Sequence, residues 1–372
     1  MSTTTSSSPT ETIRFSKRTE LLLKVAMVAG GPLLLLLFLE GASYMWERNQ
    51  ANGLYAWELV ASRRIELEEY TEPSPGYTKM KPGRQYRWQS IPVNINAHGL
   101  RGPETTYEKP QGAYRVLNLG DSVAMGWGVR EDETYGRLLE GRLLEAGLQD
   151  SNFEVINAGV PGWNPQNALA YLQAEGLQYQ PDLLIYDLTI VNDVFGGNAL
   201  QENRRPPLQE WLRANTYTWP FLSIQMQWMQ ARAAGRERID VIDPPTEAAK
   251  YFPLDADAQR WDQLWDTLAA MQRLAADQDA DFVLVLFPLE YQVVDEDYST
   301  LPQNLLAARA EEAGVTVVDL LPVYQEACRA KPGGSCRLED RYLFADVWMH
   351  PSAYGHTITA DAIFTTIQTV LP

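Results

Sequence analysis

The chain has 372 residues, of which 45% are hydrophobic, and its 31 Lys and Arg against 48 Asp and Glu give a formal net charge of −17. This length and apolar fraction suffice for a core domain of ~200–250 residues plus something smaller. The negative charge, with no basic cluster in the body of the chain, argues against a nucleic-acid partner, which requires a positive surface.

Residues 1–20 are rich in Ser and Thr and are predicted to form a disordered cytoplasmic tail. A leucine-rich run follows, and residues 21–46 are predicted to form a transmembrane anchor, since 19 helical residues at ~1.5 Å each span about 28 Å. Four basic residues lie before or within the start of this run: Arg14, Lys17, Arg18 and Lys24. The positive-inside rule then places the N-terminus in the cytoplasm and the rest of the chain outside. A cleaved signal peptide is the alternative reading.

Residues 47–112 are predicted to form a stalk and a small β-containing extension. Residues 51–69 have a helical pattern, whereas 77–101 alternate polar and aromatic residues with turn formers, which favours short strands.

From residue 113 to 372 the pattern is that of an α/β domain with a parallel sheet and helices on both faces. Strands are predicted at 115–119, 153–157, 183–188, 282–287 and 315–318. Helices are predicted at 135–146, 165–178, 260–276, 301–313 and 352–370. The rhythm breaks at 195–259, which we interpret as a largely helical insertion beside the active-site mouth; the alternative is that its aromatic residues pack against the core.

The stretch 114–129 predicts the chemistry of the domain. It reads as an apolar strand that ends at Gly120 and presents Asp121 and Ser122 where a helix begins. In open α/β sheets, ligands bind at the carboxyl ends of the strands, so Ser122 is placed as a nucleophile and Asp121 as a helix cap or turn residue.

Four short motifs in order resemble the blocks of the SGNH, or GDSL, family of serine esterases and acyl hydrolases. They are Gly120-Asp121-Ser122 with Gly126, then Asn157 to Gly162, then Asn192-Asp193, and finally Asp346 with His350-Pro351. The resemblance implies a three-layer α/β/α flavodoxin-like fold with strand order 2-1-3-4-5. Asn96 to Gly102 is similar to a segment ahead of the core in membrane-anchored members, which predicts that it packs on the core's edge with His98 structural.

The resemblance also implies the site. Ser122 is the nucleophile, His350 its general base, and Asp346 the residue that orients His350. The oxyanion hole is predicted from the Ser122 N–H, the Gly159 N–H and the Asn192 side-chain amide, and a Cβ at position 159 would crowd the acyl group.

The chain departs from the family pattern at two places. Ile190 stands where glycine is usual, and three residues instead of two separate Asp346 from His350. A dyad assisted by a backbone carbonyl is therefore an alternative to the triad. His356 is expected to dock the last helix.

Cys328 and Cys336 are the only cysteines. A disulfide is predicted if the domain is exported, and two unpaired thiols are the alternative. Without a metal-ligand spacing or a phosphate-binding glycine loop, cofactor-free and metal-free acyl chemistry is predicted. We expect an extracytoplasmic esterase that removes acyl groups from a lipid or a glycan, with an O-acyltransferase or a non-catalytic binding protein as alternatives.

Overall fold

The computed structural model describes residues 16–50, 71–88, 91–147, 152–195, 208, 211–212, 215–233, 258–295, 299–334, 336, 340–345, 349–368 and 371. Within its helices and strands, the side chains of some residues lie outside this description, among them that of Asn192.

A five-stranded parallel sheet forms the centre of the domain. Its strands are β5 (Ala113–Leu119), β6 (Asn152–Asn157), β7 (Leu183–Thr189), β8 (Asp281–Phe287) and β9 (Thr316–Asp319). Their spatial order is β6-β5-β7-β8-β9, with all neighbours parallel. This is the 2-1-3-4-5 order that the family resemblance implied, so the predicted fold is confirmed.

Helices cover both faces of the sheet, because successive residues of each buried strand point to opposite sides. Leu184 and Tyr186 belong to one core cluster, while Leu183 and Ile185 on the same strand belong to the other. The first cluster includes residues of α4 (Pro165–Ala174), α7 (Ala258–Ala276) and α9 (Leu301–Ala313). The second includes residues of α3 (Tyr135–Glu145), α10 (Leu321–Ala330) and α11 (Ala353–Ile367).

Three short helices follow strands at the carboxyl edge of the sheet. They are α2 (Ser122–Met125) after β5, α5 (Ile190–Phe195) after β7 and α8 (Glu290–Val294) after β8. The predicted helix at 165–178 instead ends at Ala174 and continues as a 3-10 turn over Gly176–Tyr179, where Gly176 packs tightly against Leu117.

The extension before the sheet consists of two antiparallel hairpins. β1 (Thr71–Ser74) pairs with β2 (Tyr77–Met80), and β3 (Gln85–Trp88) pairs with β4 (Ile91–Asn94). β2, β3 and β4 confirm the short strands predicted within 77–101, whereas β1 lies before that range. The extension shares the domain core: Met80 is buried in the first cluster, and the Trp163 indole N–H donates to the Thr78 carbonyl at 2.8 Å. The predicted stalk at 51–69 lies outside the described residues.

The first helix, α1 (Lys17–Gln50), contacts α6 (Thr218–Ala233), which belongs to the predicted insertion. The Glu40 carboxylate accepts bonds from the backbone N–H of Tyr217 and of Thr218, at 2.5 and 2.9 Å. Glu40 thus satisfies donors at the start of α6 that no helical carbonyl can reach. Most of the insertion lies outside the described residues, so its position beside the active-site mouth stays a prediction.

Seven consecutive apolar residues of α1, from Leu33 to Leu39, are exposed. In the described part of the chain, no helix has a stretch both long and apolar enough to cross a membrane. Several side chains of the predicted span at 21–46 lie outside the described residues.

Cys328 at the end of α10 and Cys336 form a disulfide with their Cα atoms 5.6 Å apart. The predicted bond is thereby confirmed, and it closes the glycine-containing turn after α10.

Candidate active site

Ser122 stands at the turn between β5 and α2. Asp121 precedes the helix as its N-cap, with a side-chain oxygen that accepts the Val123 N–H at 2.8 Å, as predicted. A Cβ on Gly120 would lie 2.8 Å from the Cβ atoms of both Ala124 and Asp187, so only glycine fits between the strand and the helix. The turn therefore fixes Ser122 at the carboxyl edge of the sheet.

His350 lies beside Ser122, although 228 residues separate the two in sequence. The Ser122 hydroxyl and His350 Nε2 are 2.8 Å apart, and His350 is only 2% exposed. Two contacts fix His350: its backbone carbonyl accepts the Ala345 N–H at 2.8 Å, and the Trp127 ring stacks on its imidazole. This distance is the one required of a nucleophile and its general base, the roles predicted for these two residues.

Asp346, the predicted orienting residue of His350, lies outside the described residues, as do the two residues that follow it. The described chain ends at Ala345 and resumes at Met349. The choice between a triad and a dyad therefore stays a prediction.

Gly159 lies in the loop after β6 and packs directly on α2. A Cβ on Gly159 would come 2.3 Å from the Met125 nitrogen and 2.7 Å from the Ala124 Cβ. Glycine is thus required here by the packing of this loop on α2, and the expectation that a Cβ would also crowd the acyl group stays a prediction.

The Gly159 N–H donates to the Asn157 side-chain oxygen at 3.0 Å, while the Asn157 amide donates to the Ala124 carbonyl at 2.9 Å. Asn157 therefore ties this loop to α2. For Gly159 to serve as an oxyanion donor, its N–H must share or leave this bond.

Asn192 follows β7 in α5, so its backbone stands at the same edge of the sheet as Ser122 and Gly159. The neighbouring Asp193 fastens this turn: its carboxylate accepts the Thr189 N–H at 2.7 Å and the Tyr186 hydroxyl at 3.2 Å. Ile190 is fully buried at the start of α5 and has no left-handed backbone, so its side chain fits where the family has glycine.

Beneath the site lies a buried polar cluster that the sequence analysis did not find. The Asp187 carboxyl binds the Tyr135 hydroxyl, which also accepts the Asn118 amide at 2.6 Å. Burial, with the nearby Asp121 carboxylate, raises the pKa of Asp187 well above its ordinary value. Asp187 sits inside a predicted apolar strand, which indicates burial, but no sequence signal identifies Tyr135 as its partner.

The two remaining histidines are structural, as predicted. The His98 ring packs edge-on against Tyr107 with centroids 4.6 Å apart. His356 on α11 accepts the Tyr135 N–H at Nδ1, 3.2 Å away, and thereby docks the last helix onto α3. Burial, followed by the nearby Arg101 and His350, lowers the pKa of His356 to about 3.

The doubly wound sheet and the serine–histidine pair at its carboxyl edge define a serine hydrolase of the α/β/α type. The sequence pattern of the GDSL-like lipase/acylhydrolase family matches residues 119–358. The chain belongs to this family and is an ester-bond hydrolase.

Three solved structures resemble the chain at low sequence identity. The structure of TesA is 17% identical and covers 69% of this chain and 99% of its own, with a TM-score of 0.41. A two-domain esterase active on acetylated mannans is 15% identical and covers 69% of this chain and 50% of its own, with a TM-score of 0.42. The acetyl xylan esterase AlAXEase is 18% identical and covers 68% and 99%, with a TM-score of 0.41. No curated protein sequence matches the chain.

Proposed function

We propose that this protein is an extracytoplasmic serine esterase that cleaves an O-acyl ester of a glycan or lipid through an acyl-Ser122 intermediate. The observation that carries the proposal is the 2.8 Å contact between the Ser122 hydroxyl and His350 Nε2. A serine hydroxyl is a poor nucleophile at neutral pH until a base takes its proton, and His350 is in place to do so.

In the first half of the reaction, the Ser122 oxygen bonds to the ester carbon while its proton moves to His350 Nε2. The tetrahedral oxyanion then collapses, and His350 passes the proton to the departing alcohol. In the second half, His350 takes a proton from water, whose oxygen attacks the acyl carbon. The second tetrahedral intermediate collapses as His350 returns the proton to the Ser122 oxygen, which releases the carboxylic acid and free Ser122. No redox partner is required.

The oxyanion is the point where the site must supply most stabilisation, with single donors worth ~3–4 kcal/mol. We assign this role to the Ser122 N–H, the Gly159 N–H and the Asn192 amide, which all follow neighbouring parallel strands. Asp346 is proposed to bind His350 Nδ1–H, with a dyad supported by a backbone carbonyl as the alternative.

We also propose that the catalytic domain lies outside the cytoplasm and is attached to the membrane through α1. Leu33 to Leu39 are exposed and consecutive, so at 100° per residue they surround the helix. One protein partner cannot cover a full circumference, whereas lipid can. The Cys328–Cys336 disulfide fits an oxidising compartment.

An O-acyltransferase would share the acyl-enzyme and differ only in using a sugar hydroxyl in place of water. One assay distinguishes an esterase, an O-acyltransferase and a non-catalytic binding protein. The purified protein is incubated with a short-chain aryl ester, with and without an oligosaccharide acceptor. Release of free acid supports the esterase, acylation of the acceptor supports the transferase, and no turnover supports the binding protein.

Ser122→Ala and His350→Ala should each abolish turnover without loss of fold, with Ser74→Ala on the β1 hairpin as a matched control of unchanged activity. Since a nucleophile and its base act as a unit, the double variant should lose little more than either single one. Losses that multiply in the double variant would show that the two residues do not cooperate.

A reporter fused after Pro372 tests the topology. Activity confined to the exported face is expected, and activity confined to the cytoplasm would overturn the proposed location.

A further inference from the structure

A buried arginine from the extension reaches the turn that carries the nucleophile. Arg101 precedes the family-matched region, which begins at residue 119, and is only 3% exposed. Its terminal nitrogen Nη1 donates to the carbonyls of Met125 and Gly126, at 3.0 and 2.5 Å, and Nη2 donates to the Val129 carbonyl at 2.7 Å.

The extension is built to hold Arg101 in this place. The Asn96 side-chain oxygen accepts the N–H of His98 and of Leu100, at 2.9 and 3.0 Å, and the Asn96 amide donates to the Pro103 carbonyl. Gly99 has a φ of +80°, and a Cβ there would lie 2.6 Å from the Met80 carbonyl oxygen. The resulting tight turn directs Arg101 inward, beneath α2, whereas the sequence predicted only packing on the edge of the core.

Two of the three carbonyls that Arg101 binds, those of Met125 and Gly126, lie at the end of α2, and the third, that of Val129, lies in the turn that follows. α2 has only four residues and is capped by Gly126, whose φ is +84°, so the carbonyls at its end accept no regular helical bond; the Gly126 carbonyl accepts the Val129 N–H at a long 3.4 Å. Asn157 supplies one further donor, at 2.9 Å from the Ala124 carbonyl. Arg101 thus completes the end of a helix too short to stabilise itself.

The turn that Arg101 holds carries Ser122 and, through Trp127, contacts His350. The N–H groups of Gly126 and Trp127 donate to the Ser122 carbonyl, at 3.2 and 2.9 Å, so Ser122 and the braced turn form one closed unit. Trp127 in turn stacks on His350, with ring centroids 6.0 Å apart. A shift of this turn would move the nucleophile and the support of its base together.

Charge is retained at this buried position. Burial lowers the pKa of Arg101 to about 10, against the opposing effect of Glu131 and Glu133, so the guanidinium is still cationic at neutral pH. Bonds from a charged donor to carbonyls are stronger than neutral ones.

We propose that Arg101 is a positioning residue for ester cleavage, which holds the turn from Ser122 to Val129 so that the nucleophile meets His350, and that the catalytic unit is incomplete without the extension. The proposal rests on the proposed hydrolytic function. Since Arg101 lies behind α2, it acts on the rate of acylation and not on substrate binding.

The test compares Arg101→Met with Arg115→Met. Arg115 is an equally buried arginine on β5, but its partners are the Tyr179 carbonyl and Glu154, at 2.6 and 2.7 Å, at the opposite end of the strand from Ser122. Both substitutions remove a buried cation and its hydrogen bonds, so both lower stability. Only the Arg101 variant should lose turnover per folded molecule.

Turnover on an aryl ester is measured below the unfolding temperature, with the folded fraction taken from near-ultraviolet circular dichroism. Arg101→Met should lower kcat by about 10² with KM nearly unchanged, the loss expected of a 1 Å misplacement of a reacting group. Labelling of Ser122 by a fluorophosphonate should slow in parallel. In Arg101→Ala, millimolar guanidinium should restore part of kcat, whereas sodium at the same ionic strength should not.

Equal kcat in wild type and Arg101→Met, or equal losses in the two arginine variants, would overturn the proposal. If Arg101→Met does not fold, Arg101→Lys decides: it keeps the charge and three donors but lacks the spacing of the two terminal nitrogens that reach the three carbonyls, so wild-type kcat there would also overturn the proposal. If the wild type neither turns over the ester nor reacts with the fluorophosphonate, the hydrolytic function itself fails, and this proposal with it.

Discussion

Replacing Gly159 by alanine tests how far the activity depends on the close packing of this loop against α2, the helix that begins at Ser122. The added methyl would stand 2.3 Å from the Met125 nitrogen, and an ordinary van der Waals contact begins at 3.4 Å, so α2 or the loop must move by about 1.1 Å. Both neighbours are backbone or a short side chain, so no flexible group can yield. Overpacking of this kind costs about 1–3 kcal/mol of stability.

The same movement displaces Ser122 from its 2.8 Å contact with His350. A 1 Å misplacement of a reacting group can cost about 10²-fold in rate, and we expect Gly159→Ala to lose that much in kcat. The assays are aryl ester hydrolysis and denaturant unfolding of the same preparation.

Gly136→Ala is the matched control for the extra methyl. On α3, the new Cβ would meet only Val155 Cγ1, at an ordinary 3.5 Å, and alanine favours the helix. This variant should keep both activity and stability. A Gly159→Ala enzyme with wild-type kcat and wild-type stability would refute the reasoning, because the close approach to α2 would then have no consequence.

Three further predictions address the base, the last helix and the disulfide. Asp346→Asn should keep the fold but lower kcat by about 10⁴, the loss measured in another triad; a drop below about tenfold would leave a dyad with His350. His356 is buried with a pKa of about 3, whereas in the unfolded chain its imidazole titrates at the ordinary 6.5. As pH falls below 6.5, the unfolded state binds a proton that the folded state does not, so the free energy of unfolding decreases. Between pH 7.5 and pH 5, denaturant unfolding should therefore show wild type losing about 2 kcal/mol more than His356→Asn; parallel losses would contradict a neutral buried imidazole. Replacing Cys328 and Cys336 by serine should cost about 2–3 kcal/mol of unfolding free energy, and a reducing agent should lower the melting temperature of wild type but not of this variant.

Much of the fold is readable from local pattern. The buried strands of a parallel sheet are nearly continuous apolar runs, and 183–188 and 282–287 stand out for that reason. The turn chemistry at Gly120 and Asp121 also predicts the start of α2, because a side chain that caps a helix acts only on its own neighbours.

The predicted catalytic pair was recognised from the order of the family motifs along the chain. Ser122 and His350 lie 228 residues apart, so no local property joins them; the resemblance to a family did so, and the 2.8 Å contact agrees. The same resemblance implied the strand order. The packing of Gly159 on α2 was not implied by it, because a family pattern records which residue is present and not which neighbour requires it.

Only the tertiary structure shows which buried polar residues support the predicted site through hydrogen bonds beneath it. The sequence places Arg101 in a segment expected at the edge of the core and Asp187 in an apolar strand, but it identifies the hydrogen-bond partners of neither. Both residues are buried, so loss of one of their hydrogen bonds costs free energy that a bond to water cannot restore. Burial depends on which distant elements pack together, and that information appears only when the extension, the sheet and α2 share one core.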